Sequence, residues 1–203
     1  MHKRAPLFSL IVLSLIIIWV LADGALAATA VSPTQTSHKP FSSTAAAMCP
    51  PLAPASGTVV NVDTVAELEN AVNTAVSGQT ILIANGVYNL DGVYLRIDVP
   101  NVTLRSASGN REAVVLDGNY DTTEIIQIVA SNVTVADVTL REAYNHPIHV
   151  MTTDAGDTLN TLIYNVHIID PGEQAIKINP GVHGTTYPDD GVIACSHLEL
   201  TDV

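Results

Sequence analysis

The feature that most constrains the fold is a set of internal similarities that recur about every thirty residues. The segment LRIDVPNVTL aligns with IQIVASNVTV at an offset of 31, which places Asn101 on Asn132. VADVTLRE aligns with IYNVHIID at an offset of 28, and YNVHIID aligns with SHLELTD at an offset of 32. These offsets are too long for hairpin partners and suit one turn of a coil of short strands. Each turn is therefore expected to stack on the previous one with parallel pairing.

Such stacking predicts columns of apolar side chains inside the coil, each worth about 25 cal/mol per Å² of buried surface. The columns are Leu104, Val135, Ile163 and Cys195; Val138, Val166 and Leu198; and Leu140, Ile168 and Leu200. Cys195 is interpreted as a buried apolar cysteine rather than as the disulfide partner of Cys49. Asn101 and Asn132 are expected to stack at a bend, where asparagine tolerates left-handed backbone.

One helix is predicted, in DTVAELENAVNTAVSG, where Thr64 and Glu67 have the spacing of a capping box and Gly78 is placed to end it. The segments that follow alternate apolar and polar residues between Gly, Asn, Asp and Pro. Because no second amphipathic helix is present, a sheet of βαβ units is excluded. The predicted fold class is all-β, a parallel β-helix or solenoid that begins with a capping α-helix.

The N-terminal segment resembles an export signal. Lys3 and Arg4 precede a short apolar run from Leu7 to Leu21, followed by small residues, which predicts a secretory signal peptide over residues 1–27. An uncleaved membrane anchor is the alternative, although the run is short for a membrane span. Residues 28–57 are rich in Ala, Ser, Thr and Pro and are predicted to form a flexible linker. Residues 58–203 would then form the β-helix domain.

Charge limits the partners of the protein. The formal net charge of the whole chain is −12, and removal of residues 1–27, with Lys3, Arg4 and Asp23, would make it −13. Nucleic acid and anionic membrane both favour basic surfaces, so neither is an expected partner. A polyanionic substrate would need a local basic patch or a bridging cation.

The motifs VDTVAELENAVNTAVSGQTILIANGVYNL and NVTVADVTL resemble the pectin-lyase-like right-handed parallel β-helix superfamily. The resemblance spans about residues 58–203 and implies a right-handed coil whose open end is covered by the helix. It implies no single activity, because the superfamily includes polysaccharide lyases, glycoside hydrolases, epimerases and non-catalytic surface proteins. Since Val203 directly follows a strand repeat, the sequence is also expected to be the N-terminal part of a longer coil, truncated at its C-terminus.

A column of polar residues is predicted on the outside of the coil. In LRI, IQI, IHV and IKI a polar residue lies between two inward apolar residues, and these four residues are Arg96, Gln127, His149 and Lys177. Stacked turns would space them about 4.8 Å apart. The preceding bends, LREAYNHPIH and IIDPGEQAIK, add Arg141, His146 and Glu173 close by. In many superfamily members the outer face of one sheet lines the substrate groove.

The chemistry predicted for this face is β-elimination from an acidic glycan, which needs a base, a cation to neutralise the carboxylate and an acid for the leaving oxygen. The candidate catalytic residues are Lys177, His149 and Arg141. The candidate substrate-binding residues are Arg96, Gln127, His146 and Glu173. Hydrolysis would need two carboxylates instead, with Glu173 paired with Asp170 or Glu142.

His167 is expected at the surface, in an outward set with Thr139 and Glu199. The loops around Asp154 and Asp157 and around Asp189 and Asp190 could hold Ca²⁺, although solvated turns are the simpler interpretation.

The predicted function is an exported, extracellular or periplasmic, monomeric polysaccharide-binding protein, with lyase as its sharper form. A non-catalytic cell-surface module and a glycoside hydrolase are the alternatives.

Overall fold

The protein is described here by a computed structural model covering residues 49–201. These residues form an all-parallel β-solenoid of about four turns. The predicted signal peptide and residues 28–48 of the predicted linker lie outside this range. Within the described part of the chain, no helix has the length and apolar character to cross a membrane.

Three parallel sheets run along the coil, and each complete turn contributes one strand to each sheet. Sheet 1 contains β1 (Val59–Val62), β2 (Thr80–Ile83), β5 (Thr103–Ser106), β8 (Thr134–Ala136), β12 (Leu162–Tyr164) and β16 (Val192–Ala194). Sheet 2 contains β4 (Leu95–Ile97), β7 (Glu124–Ile128), β10 (His146–Met151) and β14 (Ile176–Asn179). Sheet 3 contains β3 (Gly86–Asn89), β6 (Val114–Asp117), β9 (Thr139–Arg141), β13 (His167–Ile169) and β17 (His197–Glu199). A short two-stranded pair joins β11 (Thr158–Leu159) to β15 (Pro188–Asp189).

The predicted helix is present as α1, Val65–Asn73. Thr64 is its N-cap, and its Oγ1 accepts a hydrogen bond from the amide of Glu67 at 3.2 Å. The helix buries Leu68, Ala71 and Val72 in the core. It ends at Asn73, earlier than the position of Gly78 suggests, because Thr74 serves as the C-cap.

The core is a stack of aliphatic side chains that repeats from turn to turn. Leu104 pairs in register with Val135, and Val135 with Ile163, as predicted. Leu140 likewise pairs with Ile168. All five side chains are buried. Since side chains alternate across a strand, this register also fixes which residues point outward.

The last described turn differs from the predicted register by two residues. Ile163 pairs with Ile193 rather than Cys195, and Ile168 pairs with Leu198 rather than Leu200. The physical reason is the length of the turn, which is 30 residues here instead of 32. Ile193 and Leu198 are exposed, since no described turn stacks on them.

The corrected register places Cys195 at a bend and not in the core. Asp137, Asn165 and Cys195 immediately follow three paired strands of sheet 1, and all three have left-handed backbone, with φ of 57°, 50° and 56°. Asn101 and Asn132 adopt the same conformation at another bend, with φ of 63° and 60°, as expected.

Cys195 forms a disulfide with Cys49, so its interpretation as an unpaired apolar cysteine was wrong. The bond joins residues 146 positions apart in the sequence. It was missed because Cys49 lies in a segment of low-complexity composition that gives no sign of its place in the fold.

Residues 49–57, predicted as the end of the linker, lie across sheet 1 and are called here the strap. Side chains on three strands donate hydrogen bonds to strap carbonyl oxygens: Tyr164 to Pro50 (2.7 Å), Arg105 to Ala53 (3.0 Å) and Thr80 to Ser56 (3.1 Å). The strap therefore runs along the coil from the disulfide at the last described turn back to the first turn.

Replacing Cys49 by Ser should lower the free energy of unfolding by about 4 kcal/mol, because the disulfide closes a very long loop of the unfolded chain. Urea unfolding followed by circular dichroism measures the change. Wild-type protein in reductant serves as the control and should match the variant. Equal stabilities of the oxidised wild type and Cys49→Ser would contradict the assignment of a stabilising strap.

Candidate functional site

The predicted outward column exists on sheet 2. Arg96 pairs in register with Gln127, Gln127 with His149, and His149 with Lys177. These residues occupy β4, β7, β10 and β14, one on each successive turn. Flanking residues such as Ile126 and Ile148 point into the core, which turns the column outward.

A chain of hydrogen bonds connects most of this column. Arg96 donates from Nη1 to Oε1 of Gln127. Gln127 in turn donates from Nε2 to Oε2 of Glu124 at 3.0 Å. The other carboxylate oxygen of Glu124 accepts from Nδ1 of His149 at 2.7 Å. Glu124 thus holds the centre of the column, although the sequence analysis did not single it out.

His149 is more enclosed than an outward column residue was expected to be, with 6 % of its surface exposed. Its Nε2 contacts Oδ1 of Asn179, whose amide nitrogen is directed to the carbonyl of Pro180 at 3.0 Å. Both ring nitrogens of His149 therefore face oxygen acceptors. This arrangement favours a role in positioning neighbours over one in removing a substrate proton.

Lys177 differs from its neighbours in the column. Its side chain is half-buried, and within residues 49–201 it makes no hydrogen bond or ion pair. It is also the only lysine between Cys49 and Val203. An ammonium group without a protein partner is available to an anionic ligand.

The two predicted bends stack as equivalent elements. The amide of Gly172 donates to the carbonyl of Ala143 at 2.9 Å, and that of Glu173 donates to Asn145 at 2.8 Å. A Cβ at Gly172 would lie 1.9 Å from the carbonyl oxygen of Tyr144, so only glycine permits this approach. The bends bring Glu173 to His146, with Oε2 and Nε2 3.6 Å apart.

His146 lies beneath this face, with 1 % of its surface exposed. Its ring meets that of His149 edge-on, with the centroids 5.6 Å apart. Burial, followed by the positive charge of Lys177, holds the pKa of His146 below its ordinary value of 6.5, although Glu124 and Glu173 act in the opposite direction. His146 therefore favours the neutral form, and its Nδ1 is buried without a hydrogen-bond partner among the described residues.

Arg141 is separated from the column because β9 belongs to sheet 3. Its guanidinium forms two hydrogen bonds with Oδ2 of Asp117, from Nε at 2.9 Å and from Nη2 at 2.5 Å. That hydrogen bonding raises the pKa of Arg141 despite partial burial. An arginine paired in this way is poorly placed to bind a substrate carboxylate on sheet 2.

His167 was expected at the surface, and this was wrong: only 9 % of it is exposed. Its outward neighbours in register are Thr139 and His197, rather than Thr139 and Glu199. The ring is covered by Glu112, which lies 55 residues earlier, and by Glu199. Glu112 comes from a 3₁₀ turn, Arg111–Ala113, that gave no signal in the sequence.

The two acidic loops lie side by side but gather few ligands. β11 and β15 pair Leu159 with Asp189, and Asp157 accepts a hydrogen bond from the amide of Tyr187 at 2.7 Å. Within the described ranges, these aspartates form no group of three that could share one ion. Solvated turns stay the prediction for these loops, with calcium binding as the alternative.

Comparison with known proteins adds no relative. The chain matches no protein-family model, no curated protein and no solved structure. The interpretation of the site therefore rests on the geometry of sheets 2 and 3.

His146 should make the protein less stable in mild acid. Because its pKa is lowered in the folded state, the unfolded chain binds a proton first as the pH falls through about 6.5, and folding stability declines below that value. His146→Gln should flatten the change in unfolding free energy between about pH 7.5 and about pH 5.5. Denaturant unfolding at several pH values measures the slope.

The matched control for this experiment is His183→Gln, which removes an exposed histidine beside Asp154 and should leave the slope unchanged. A wild-type slope that persists in His146→Gln would show that another group causes the pH dependence.

Proposed function

We propose that the protein is an exported polysaccharide-binding β-helix whose ligand lies along the outer face of sheet 2. The observation that carries the proposal is the register of Arg96, Gln127, His149 and Lys177 on four successive turns. Three rung spacings separate the ends of this column, or about 14 Å. A linear array of polar groups at regular intervals suits a linear polymer with repeating groups.

Charge supports an acidic glycan over other polymers. The column has a cation at each end, Arg96 and Lys177, on a protein whose formal net charge is −12. The net negative charge of the protein opposes association with a nucleic acid, which carries a phosphate at every nucleotide. A glycan with one carboxylate per sugar could pair with Lys177 and avoid the acidic remainder. The protein is expected to act as a monomer.

Export is part of the proposal. The basic and apolar start of residues 1–27 has the composition of a signal peptide. The disulfide between Cys49 and Cys195 fits an oxidising compartment outside the cytosol. Right-handed winding, as in the pectin-lyase-like superfamily, is proposed because parallel crossover connections are almost always right-handed.

In the catalytic form of the proposal, the protein is a lyase that cleaves by β-elimination. Lys177, which makes no hydrogen bond or ion pair among the described residues, would as the neutral amine take the proton next to a uronate carboxylate. The freed electron pair would expel the oxygen on the adjacent carbon, and the ammonium formed at Lys177 would protonate that oxygen. A bridging cation would neutralise that carboxylate, and Arg96, about 14 Å away at the other end of the column, would pair with the carboxylate of another sugar. His149 and Gln127 would orient these groups through Glu124. Arg141 is less suited to bind a substrate carboxylate, since its guanidinium is already paired with Asp117.

A non-catalytic binding module is the second candidate, and a specific observation favours it. The polar groups of Arg96, Gln127 and His149 are already engaged with one another, with Glu124 or with Asn179. A face whose groups are held by structural hydrogen bonds can bind a polymer without supplying a free acid and base.

Lys177→Gln should weaken binding to a uronic-acid polymer by about tenfold or more, since a charged hydrogen bond is lost. Affinity electrophoresis in gels containing polygalacturonate, alginate or hyaluronan measures the change. Arg111→Gln is the matched control, because it removes one positive charge from a 3₁₀ turn beside sheet 3. Equal retardation of both variants and the wild type would remove sheet 2 as the binding face.

Lyase activity has a separate readout, the ultraviolet absorbance of the unsaturated uronate that elimination creates, measured with and without Ca²⁺. If the lyase form holds, wild-type protein produces this signal and Lys177→Ala does not. A hydrolase would release reducing ends without the absorbance, and a binding module would give neither. Activity that survives in Lys177→Ala would exclude Lys177 as the base.

A further inference from the structure

A second cluster of polar groups lies on the outside of sheet 3, away from the column of sheet 2. His167 of β13 and His197 of β17 are register partners, and their rings stack with centroids 4.8 Å apart and planes inclined by 19°. Glu199, also on β17, accepts a hydrogen bond from Nε2 of His167 at 2.9 Å. One ligand atom from each of these three residues lies within 4.8 Å of the other two.

The inner histidine is held in a fixed orientation. Nδ1 of His167 lies 3.2 Å from Oε2 of Glu112, and Glu112 is bound on its other oxygen by Nε of Arg111 at 2.9 Å. Through this contact Glu112 fixes the orientation of the His167 ring, with Nε2 directed to Glu199.

This arrangement is the one that proteins use to prepare a histidine for a metal ion. Metal-binding histidines typically donate the other ring N–H to a carboxylate, which fixes the tautomer and raises the basicity of the coordinating nitrogen. Arg111 and Glu112 supply that support here. His167 Nε2 would exchange the proton it shares with Glu199 for the metal.

The remaining geometry needs a small adjustment of exposed side chains. Zinc holds histidine nitrogens at about 2.0–2.1 Å, so ligand atoms around one ion lie about 3.3 Å apart. Stacked rings direct their lone pairs along nearly parallel planes, and one ring must rotate before both point to a common ion. His197 is exposed and Glu199 is partly so, and both can move without disturbing the core.

We propose that His167, His197 and Glu199 form a binding site for a divalent transition metal, of which Zn²⁺ is the natural probe. Two imidazoles and one carboxylate are ligands typical of zinc sites that keep a fourth position for water. The ion would join β17 to β13 and so fix the last described turn to the one before it. The site is independent of the polysaccharide proposal, since it lies on another sheet.

The test is titration of the metal-free full chain with Zn²⁺ in competition with a chromophoric chelator. Wild-type protein is expected to bind one more zinc ion with high affinity than His197→Ala does, and the affinity of this site should fall by about 100-fold or more in that variant. Glu199→Gln should weaken the site as well. Glu112→Gln, which removes only the support of His167, should weaken it by about tenfold.

His183→Ala is the matched control, because it removes another exposed histidine that contacts a carboxylate, Asp154, and should leave zinc binding unchanged. Zinc should also raise the melting temperature of wild type and His183→Ala, but not of His197→Ala. The proposal is overturned if wild type binds no zinc, or if His197→Ala and Glu199→Gln bind it as tightly as wild type. Circular dichroism confirms that each variant is folded.

Discussion

The structure depends on one constraint, which is that every turn pairs its strands in parallel with the turn before. Hydrogen bonds between equivalent positions place each inward residue on its predecessor, as Leu104, Val135 and Ile163 show. The same register aligns whatever points outward. The apolar interior therefore stabilises the coil and, by its geometry, also brings together polar groups about thirty residues apart in the sequence, such as His149 and Lys177.

Much of this register could be predicted because the repeat is visible in the sequence. The offset of 31 between Asn101 and Asn132, and that of 28 between Val138 and Val166, agree with the pairing of their strands. The alignment predicted for the final turn was wrong by two residues, for a physical reason. Side chains alternate across a strand with a period of two. Shifting the alignment by two residues therefore leaves Leu198 and Leu200 both on the side of the strand that the pattern assigns to the core. The two alignments differ only in the number of residues assigned to the bend, and the hydrophobic pattern of the sequence does not predict that number.

The candidate sites were harder to predict than the coil. The column of sheet 2 follows from the repeat, but the enclosure of His149 depends on Glu124 and Asn179, which come from different turns. The environment of His167 depends on Glu112, which reaches it from a 3₁₀ turn outside the repeat pattern. Contacts made by irregular segments have no periodic signature. For the same reason the disulfide between Cys49 and Cys195 could not be predicted from the sequence.

The strap gives the solenoid a different topology from a simple stack. In a linear array each turn contacts only its neighbours, so an end can open while the remainder stays intact. Here residues 49–57 run along the coil axis, and Cys49 is bonded to the bend after β16. The carbonyl groups of this segment accept hydrogen bonds from side chains of β2, β5 and β12, so its position depends on the pairing of those strands. The disulfide between Cys49 and Cys195 ties the segment that precedes the first turn to the last described turn, so that the two ends of the described coil are joined covalently as well as by stacking.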